Sequence, residues 1–414
     1  MSTRIAMGCT NWFMTRTRTK PAASRVFYRL HYPAMKAIFL FLLSLVPAAT
    51  ALAQSSYDLQ GTIGNLPVYF HLEEYEGQTP DAPNVEARYF YQSSLKDVVM
   101  RGTRTGNKYI LSVKEDERGY YEKCILTLDG AGKFTGAWVN RKGTSLPVSL
   151  KPLALFTINH PYMDNSYVQE LRQKDTFNYV RSSFIKLKRD SVTSYKGKSF
   201  VWISETHCSM SMFRLGNGFS KRTLELINPR LDAIHFNEII SQLSCTSEWG
   251  YNTGTNIDYT TAITFLNEYL LGFSIYSYYD CGGAHPDGGS QGYLLDLHSG
   301  RQYSLDEVIA FHSSVTTEAK SGFEKFSAYR EKYFAPQLLK IGNAIHRFKK
   351  PAGEDDCDYL DENVWKYPAW HFTEAGIEFV PGFPRVIRNC EEEFLVPFSA
   401  LKAYRNPAFP YPFE

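Results

Sequence analysis

The sequence predicts an α+β protein: an N-terminal all-β antiparallel unit followed by an α+β domain. Three observations predict it. Residues 57 to 150 hold short segments in which apolar and polar residues alternate, parted by Gly and Asp/Asn turns. Residues 221 to 243 and 315 to 347 have helical composition, and strand-like segments return near residue 370. Strands surrounding a block of helices make the second unit α+β. Apolar residues at 43% and aromatic residues at 15% exclude disorder throughout the chain.

A leader precedes these units. Residues 1 to 53 contain seven basic residues (Arg4, Arg16, Arg18, Lys20, Arg25, Arg29, Lys36) and no acidic one. The whole chain of 414 residues, with 45 Lys+Arg and 43 Asp+Glu, has a net charge of +2; without the leader, 38 basic residues face 43 acidic ones, a net of −5. Met35-Lys36, the apolar run Ala37 to Val46, Pro47 and the closing Ala51-Leu52-Ala53 form the charged, apolar and cleavage regions of a secretory signal peptide. An apolar run of about ten residues ending in a helix-breaking Pro is too short for ~30 Å of hydrocarbon. Residues 1 to 34 show no apolar periodicity and read as an over-extended N-terminus, with Met35 the initiator. Export to the periplasm or beyond, with cleavage near Ala53, is the expectation. No Cys follows the cleavage site, so neither a lipid nor a stable membrane anchor is expected.

The first unit, residues 54 to 150, contains Leu66 to Leu72, Ala87 to Tyr91, Tyr109 to Val113 and Cys124 to Leu128 as period-two segments. Their spacing of roughly 8 to 12 residues predicts an antiparallel sheet, a sandwich or a small barrel. Residues 151 to 195, with mixed polar stretches, read as a linker region. The second unit, residues 196 to 405, opens on strand-like Phe200 to Ser204, then a helix through Arg222 to Leu243. A strand pair follows at Thr261 to Phe265 and Tyr269 to Tyr279. In the latter, Tyr269, Leu271, Phe273, Ile275 and Tyr279 share one face, and Gly272, Ser274, Tyr276 and Tyr278 the other. Ser304 is placed to cap a helix beginning at Leu305. Ala335-Pro336 predicts a break between two helices. The final strands are Ala369 to Phe372, Gly376 to Val380 and Phe394 to Pro397, and residues 406 to 414 form a tail.

Six cysteines follow the leader, which itself carries Cys9: Cys124, Cys208, Cys245, Cys281, Cys357 and Cys390. An even number in an exported chain predicts three disulfides. If bridges are local, Cys208 pairs with Cys245 and Cys357 with Cys390. No CxxC or HxxxH spacing occurs among them, so no structural zinc site is expected, and no cofactor is implied.

The richest local feature is Gly282-Gly283-Ala284-His285-Pro286-Asp287-Gly288-Gly289, whose Gly and Pro content lets the backbone turn sharply and approach a neighbour. Tyr278, Tyr279, Gly282, Gly283, His285 and Asp287 are the candidate ligand-binding residues. The turn reading of Pro286-Asp287-Gly288 competes with a ligand role, since one His and one Asp do not make a metal cluster. Gly288-Gly289-Ser290-Gln291-Gly292 matches the spelling of a nucleophile elbow, but a turn precedes it and a strand follows, the reverse of what an elbow needs. Glu205-Thr206-His207-Cys208 gathers an acid, a base and a thiol, with a disulfide at Cys208 the preferred reading. Asp355, Asp356, Asp358 and Asp361 lack calcium-loop spacing. Short basic clusters in a net-acidic chain do not support nucleic-acid binding. The Tyr276 to Tyr279 run offers rings able to stack on sugars or anchor a protein partner, set against ordinary sheet packing.

Tyr278 to Pro286, Tyr293 to Arg301, the helix start Ser304 to Ile309, Trp370 to Phe379 and Val396 to Leu401 together resemble the extracellular domain of the anti-sigma factor RsiV, also found beside the deacetylase domain of PdaC. The resemblance covers residues 260 to 405. It implies a secreted, non-catalytic α+β domain whose partner is lysozyme or another cell-wall-acting protein, or peptidoglycan. The chain departs from RsiV in lacking a cytoplasmic sigma-binding segment and in adding the β-rich unit and several cysteines. The association with PdaC keeps a second expectation open, an envelope hydrolase acting on cell-wall glycan or peptide.

Overall fold

The computed structural model describes residues 55–413 except 76–82, 114, 117–118, 248–249, 255, 284, 352 and 354–356. The leader, its Cys9, and Asp355 and Asp356 lie outside the described residues. The mixed α+β expectation holds, and the all-β unit takes the most closed of the forms open to it.

Eight strands form a closed antiparallel barrel: β1 (Ser56–Ile63), β2 (Leu66–Glu74), β3 (Val85–Tyr91), β4 (Asp97–Thr105), β5 (Lys108–Ser112), and, after a small hairpin of β6 (Glu115–Asp116) and β7 (Gly119–Tyr120), β8 (Glu122–Leu128), β9 (Phe134–Asn140) and β10 (Ser145–Pro152). The meander closes where β1 pairs with β10, from Leu59 opposite Pro152 to Ile63 opposite Val148. Closure removes the two sheet edges that would otherwise carry unpaired backbone groups. Alternation then sends every second side chain inward, where Phe70 stacks on Tyr89 with centroids 4.5 Å apart and Tyr109 meets Phe134 edge-on at 5.1 Å. An eight-stranded barrel is just wide enough to be filled this way. The inner hydroxyls find carboxylates: Tyr89 donates to Glu122 at 2.7 Å and Tyr109 to Glu74 at 2.6 Å.

Residues 151–195, expected to be a linker, are part of the core instead. Asn165 caps α1 (Ser166–Lys174) by accepting from the Tyr167 and Val168 amides, and Asp175 caps α2 (Thr176–Ser182). Val168, Leu171, Phe177 and Val180 are buried from these two helices. The helices are too short to display a sustained periodicity, and that is why they read as polar connection. β11 (Leu187–Tyr195) then pairs with β12 (Lys198–Glu205), and β12 with β13 (Ser211–Leu215). α3 (Lys221–Ser244), capped by Ser220, packs over β13.

The barrel is joined to this layer by a buried ion pair. Arg181 of α2 is fully buried, pairs with Asp97 at the start of β4, donates to Ser244 Oγ at 2.6 Å and lies 5.0 Å from the ring centres of both Phe90 and Phe177. Around it, Asn252 donates to the Asp97 carbonyl at 3.0 Å, and Gln242 of α3 bonds Ser209 and Ile257.

Behind it stands a three-stranded sheet of β14 (Ile257–Leu266), β15 (Leu270–Tyr279) and β16 (Asp287–Asp296). One face places Leu271, Phe273, Ile275, Tyr293 and Leu295 in the core shared with α1 to α3. Phe265, Leu270 and Leu294 belong to a second core. That core is completed by α4 (Leu305–Val308), α5 (Glu318–Ser321), α6 (Phe323–Tyr329), α7 (Ala335–His346), β17 (Ala369–Phe372), β18 (Gly376–Val380), β19 (Phe394–Pro397) and α8 (Phe398–Leu401). Ser304 caps α4 as expected, and Glu307 makes the cap reciprocal. At Ala335-Pro336 the helix is not interrupted: a π turn over Arg330–Phe334 leads into α7, whose first turn accommodates the Pro. Residues 406–413 are no free tail, since Phe409 and Phe413 are buried in the second core and Asn406 donates to the Asp306 carbonyl at 2.8 Å.

Replacing Arg181 with Met strands the Asp97 carboxylate without a partner, and the expected loss is about 3 to 5 kcal/mol in urea denaturation; replacing both residues with apolar ones restores most of it. A loss below ~1 kcal/mol in the single variant contradicts the role given to the pair. A second outcome concerns pH. His235 is buried beside the Arg214 guanidinium, and burial, followed by that charge, lowers its pKa to about 3. The unfolded chain binds a proton there from about pH 6.5 downward while the folded one does not. Stability contributed by neutral His235 is therefore complete above about pH 6.5 and declines toward pH 3. Denaturation midpoints measured from pH 7 to pH 4 should fall less steeply in His235→Gln than in the parent.

Candidate functional site

The sequence-selected residues gather at the free end of the β15–β16 hairpin. Along this pair the register runs from Leu270 opposite Asp296 to Tyr279 opposite Asp287. Among the described residues, no hairpin side chain beyond Ile275 and Tyr293 joins an apolar cluster, so the last turn of the ribbon has no described core beneath one of its faces. Tyr276 and Tyr278 on that face are 47% and 49% exposed, with Ser290 and Gly288 opposite them on β16 and Thr260 and Asp258 opposite them on β14. Further down the same face the backbone of β17 lies directly on the sheet. A Cβ at Gly292 would collide with the Trp370 carbonyl oxygen, and one at Gly272 would crowd the Phe265 and Phe372 side chains. Glycine at these two positions is what lets β17 approach so closely.

The tip is held by covalent and ionic contacts in place of a core. Cys281 is bonded to Cys245 at the end of α3, and the Asp280 amide donates to the Asn256 carbonyl at 2.8 Å. Gly282 has φ of +79°, with the Ser247 carbonyl 3.1 Å from where a side chain would begin. The turn at 385–390 closes from the other side: Arg385 donates to the Pro286 carbonyl at 2.6 Å and Arg388 to the Gly288 carbonyl at 2.7 Å. Arg388 also forms an ion pair with Asp287 and lies 3.2 Å from Glu391. That turn is fixed at its end by the Cys357–Cys390 bridge.

Asp287 is thus a buried structural carboxylate, with Arg388 as its counter-ion and the Tyr279 hydroxyl 3.3 Å away. His285, Gly282 and Gly283 are exposed, Tyr278 is exposed and Tyr279 half-buried. Ser290 lies within strand β16, opposite Tyr276, with no elbow turn around it.

The cysteine expectations need correction. Cys357–Cys390 is present, but Cys245 pairs with Cys281 and not with Cys208, and Cys124 and Cys208 are free thiols. Two bridges form where three were expected. The hairpin folds its tip back to the C-terminus of α3, whereas Cys208 lies in the loop between β12 and β13. In that loop Glu205 is buried, accepting from the Lys186 amide at 3.3 Å and lying 2.8 Å from His207 Nδ1, while His207 Nε2 lies 3.1 Å from the Ser93 carbonyl. Burial, followed by the Glu205 charge, pushes the Cys208 thiol up to about 12, which opposes thiolate chemistry. Asp358 and Asp361 accept from the Leu360 and Asn363 amides and organise turns.

One group the sequence reading missed is His371, Glu378 and Glu393, whose donor atoms lie within 4.8 Å of one another. No local spacing marks it, because its members come from β17, β18 and the approach to β19. Two open hollows, of about 470 Å³ beside Glu331, Asp361 and Lys366 and about 300 Å³ beside Tyr167, Glu170 and Arg230, include none of the candidate ligand-binding residues of the hairpin. No helix among the described residues is long and apolar enough to cross a membrane. Neither a protein-family model nor a curated protein matches this sequence.

Alkylation of the denatured, unreduced mature protein should label Cys124 and Cys208 and leave the other four unmodified. Loss of the Cys245–Cys281 bridge in Cys281→Ser should cost about 2 to 5 kcal/mol in denaturant midpoint measurements, and should accelerate proteolysis within residues 280–286.

Proposed function

We propose that this is an exported, non-catalytic binding protein of the bacterial envelope, whose RsiV-like second unit recognises a cell-wall-acting protein such as lysozyme, or cell-wall material itself. The signal-peptide pattern of residues 35–53 and the two disulfides support export. One observation carries the binding reading. Tyr276 and Tyr278 project from a sheet face flanked by Thr260, Asp258 and Ser290, on a hairpin whose tip is fixed by a disulfide and by two arginines. Tyrosine presents a broad apolar ring with a polar end and loses little side-chain entropy on contact. Rings already fixed on a rigid strand avoid much of the ordering cost of association. The adjoining turn adds Val386, 89% exposed, between Arg385 and Arg388. A net charge of −5 on the chain without its leader favours a cationic partner modestly, with association weakening as salt rises.

Immobilised lysozyme and insoluble peptidoglycan, each presented to the mature protein at low ionic strength, separate the two partners. Retention on at least one of them is expected. The double variant Tyr276→Ala/Tyr278→Ala should bind about tenfold or more weakly, with an unchanged thermal midpoint. If the parent is retained on neither, or the variant binds as well as the parent, the proposed surface is wrong.

A further inference from the structure

We infer that His371, Glu378 and Glu393 form a site for a divalent first-row transition-metal ion on the outer face of the C-terminal sheet. Strand register brings the three together. His371 on β17 stands directly opposite Glu378 on β18, and Glu378 stands opposite Leu395 on β19. Glu393, immediately before β19 and two residues before Leu395, brings its carboxylate within 4.8 Å of the His371 and Glu378 donor atoms. Ile377, Phe379 and Val396 alternate with this set and enter the second core, which leaves the three polar groups on the opposite side.

The imidazole is more than nine-tenths buried, and its Nε2 lies 2.9 Å from Glu378 Oε2. A buried imidazole directed at carboxylate oxygen is a metal ligand already restricted to one orientation.

Charge balance points the same way. Several carboxylates of this half of the protein have a cationic side chain: Asp287 and Glu391 have Arg388, Asp306 has Arg330, Glu307 has Arg301 and Glu374 has Lys196. Buried Asp296 is held instead by the Tyr303 and Tyr411 hydroxyls and two backbone amides. Among the described residues the ion-pair partner of Glu378 is His371, and Glu393 has no Lys or Arg partner. A divalent cation supplies the missing positive charge. One imidazole nitrogen and two carboxylate oxygens suit Zn²⁺, Mn²⁺, Fe²⁺ or Co²⁺ better than the all-oxygen preference of Ca²⁺ and Mg²⁺. Three protein ligands leave at least one position open to water or to an anionic group of another molecule. Binding displaces any proton on His371 Nε2, so affinity declines as the medium becomes acidic.

The test uses the chelator-stripped mature protein and ZnCl2, with CoCl2 as a spectroscopic probe. Calorimetry should give one equivalent bound at pH 7.5, weaker binding at pH 5.5, and a higher thermal midpoint with Zn²⁺. Because Glu393 is exposed, Glu393→Gln should fold as the parent does, which separates ligand loss from misfolding. Its affinity should fall by at least the ~10–100-fold that changes around metal ligands produce; His371→Gln should fall further. Absence of stoichiometric binding by the parent overturns the assignment. So does equal Zn²⁺ affinity in Glu393→Gln, which would move the binding elsewhere, the free thiols included.

Discussion

The Arg181 guanidinium is the constraint on which the arrangement of the halves depends. A charge with no exposure to water is tolerated only when its partners are nearly complete, and those partners come from three places: Asp97 from the barrel, Ser244 from α3, and the rings of Phe90 and Phe177 from barrel and α2. Burial works against both charges, pushing Asp97 up and Arg181 down, while each holds the other ionised. Such a pair adds little net stability over an apolar replacement, but it penalises any other docking of barrel on helices, because a shifted interface leaves a buried charge alone. The neighbouring amide network, Asn252 to the Asp97 carbonyl and Gln242 to Ser209 and Ile257, continues this specification into β14.

From there the order passes through the β14–β16 sheet, which serves two cores at once. Its residues face alternately toward α3 and toward the C-terminal elements, so it cannot shift register by one residue without exchanging Phe273 and Ile275 for Gly272 and Ser274. The same alternation that fills the cores near residue 271 delivers Tyr276 and Tyr278 to solvent once the ribbon runs past β17. The exposed rings are therefore a consequence of ribbon length. A core-length hairpin would have ended near Ile275.

Much of this was legible in the sequence, and most of the failures concern pairings between segments distant along the chain. Strands such as β17 and β18, the helix α3 and the Ser304 cap announce themselves through period, composition or residue type, all local signals. Barrel closure depends on β1 meeting β10, and inward alternation looks the same in a sandwich as in a barrel. Cys208 and Cys281 are nearly equidistant from Cys245 along the chain, so spacing could not choose between them; the fold of the hairpin did. His371, Glu378 and Glu393 become neighbours only through register across three strands. α1 and α2 were hidden by brevity, and the buried Phe409 and Phe413 by their position near the end of the chain.

The cross-links fall where the fold has least core. Both disulfides bear on one hairpin: Cys281 is in its tip, and Cys390 ends the turn whose Arg388 holds Asp287. A ribbon that leaves its core behind would open locally at little cost, as exposed hairpin ends generally do. Tying its end to α3 on one side and to the 357–390 segment on the other removes that freedom. Arg388 adds an electrostatic lock, since Asp287 is buried with Arg388 as its counter-ion. The charged and covalent restraints at the tip thus substitute for hydrophobic burial, and they leave the two tyrosine faces, which a core would have covered, free for contact.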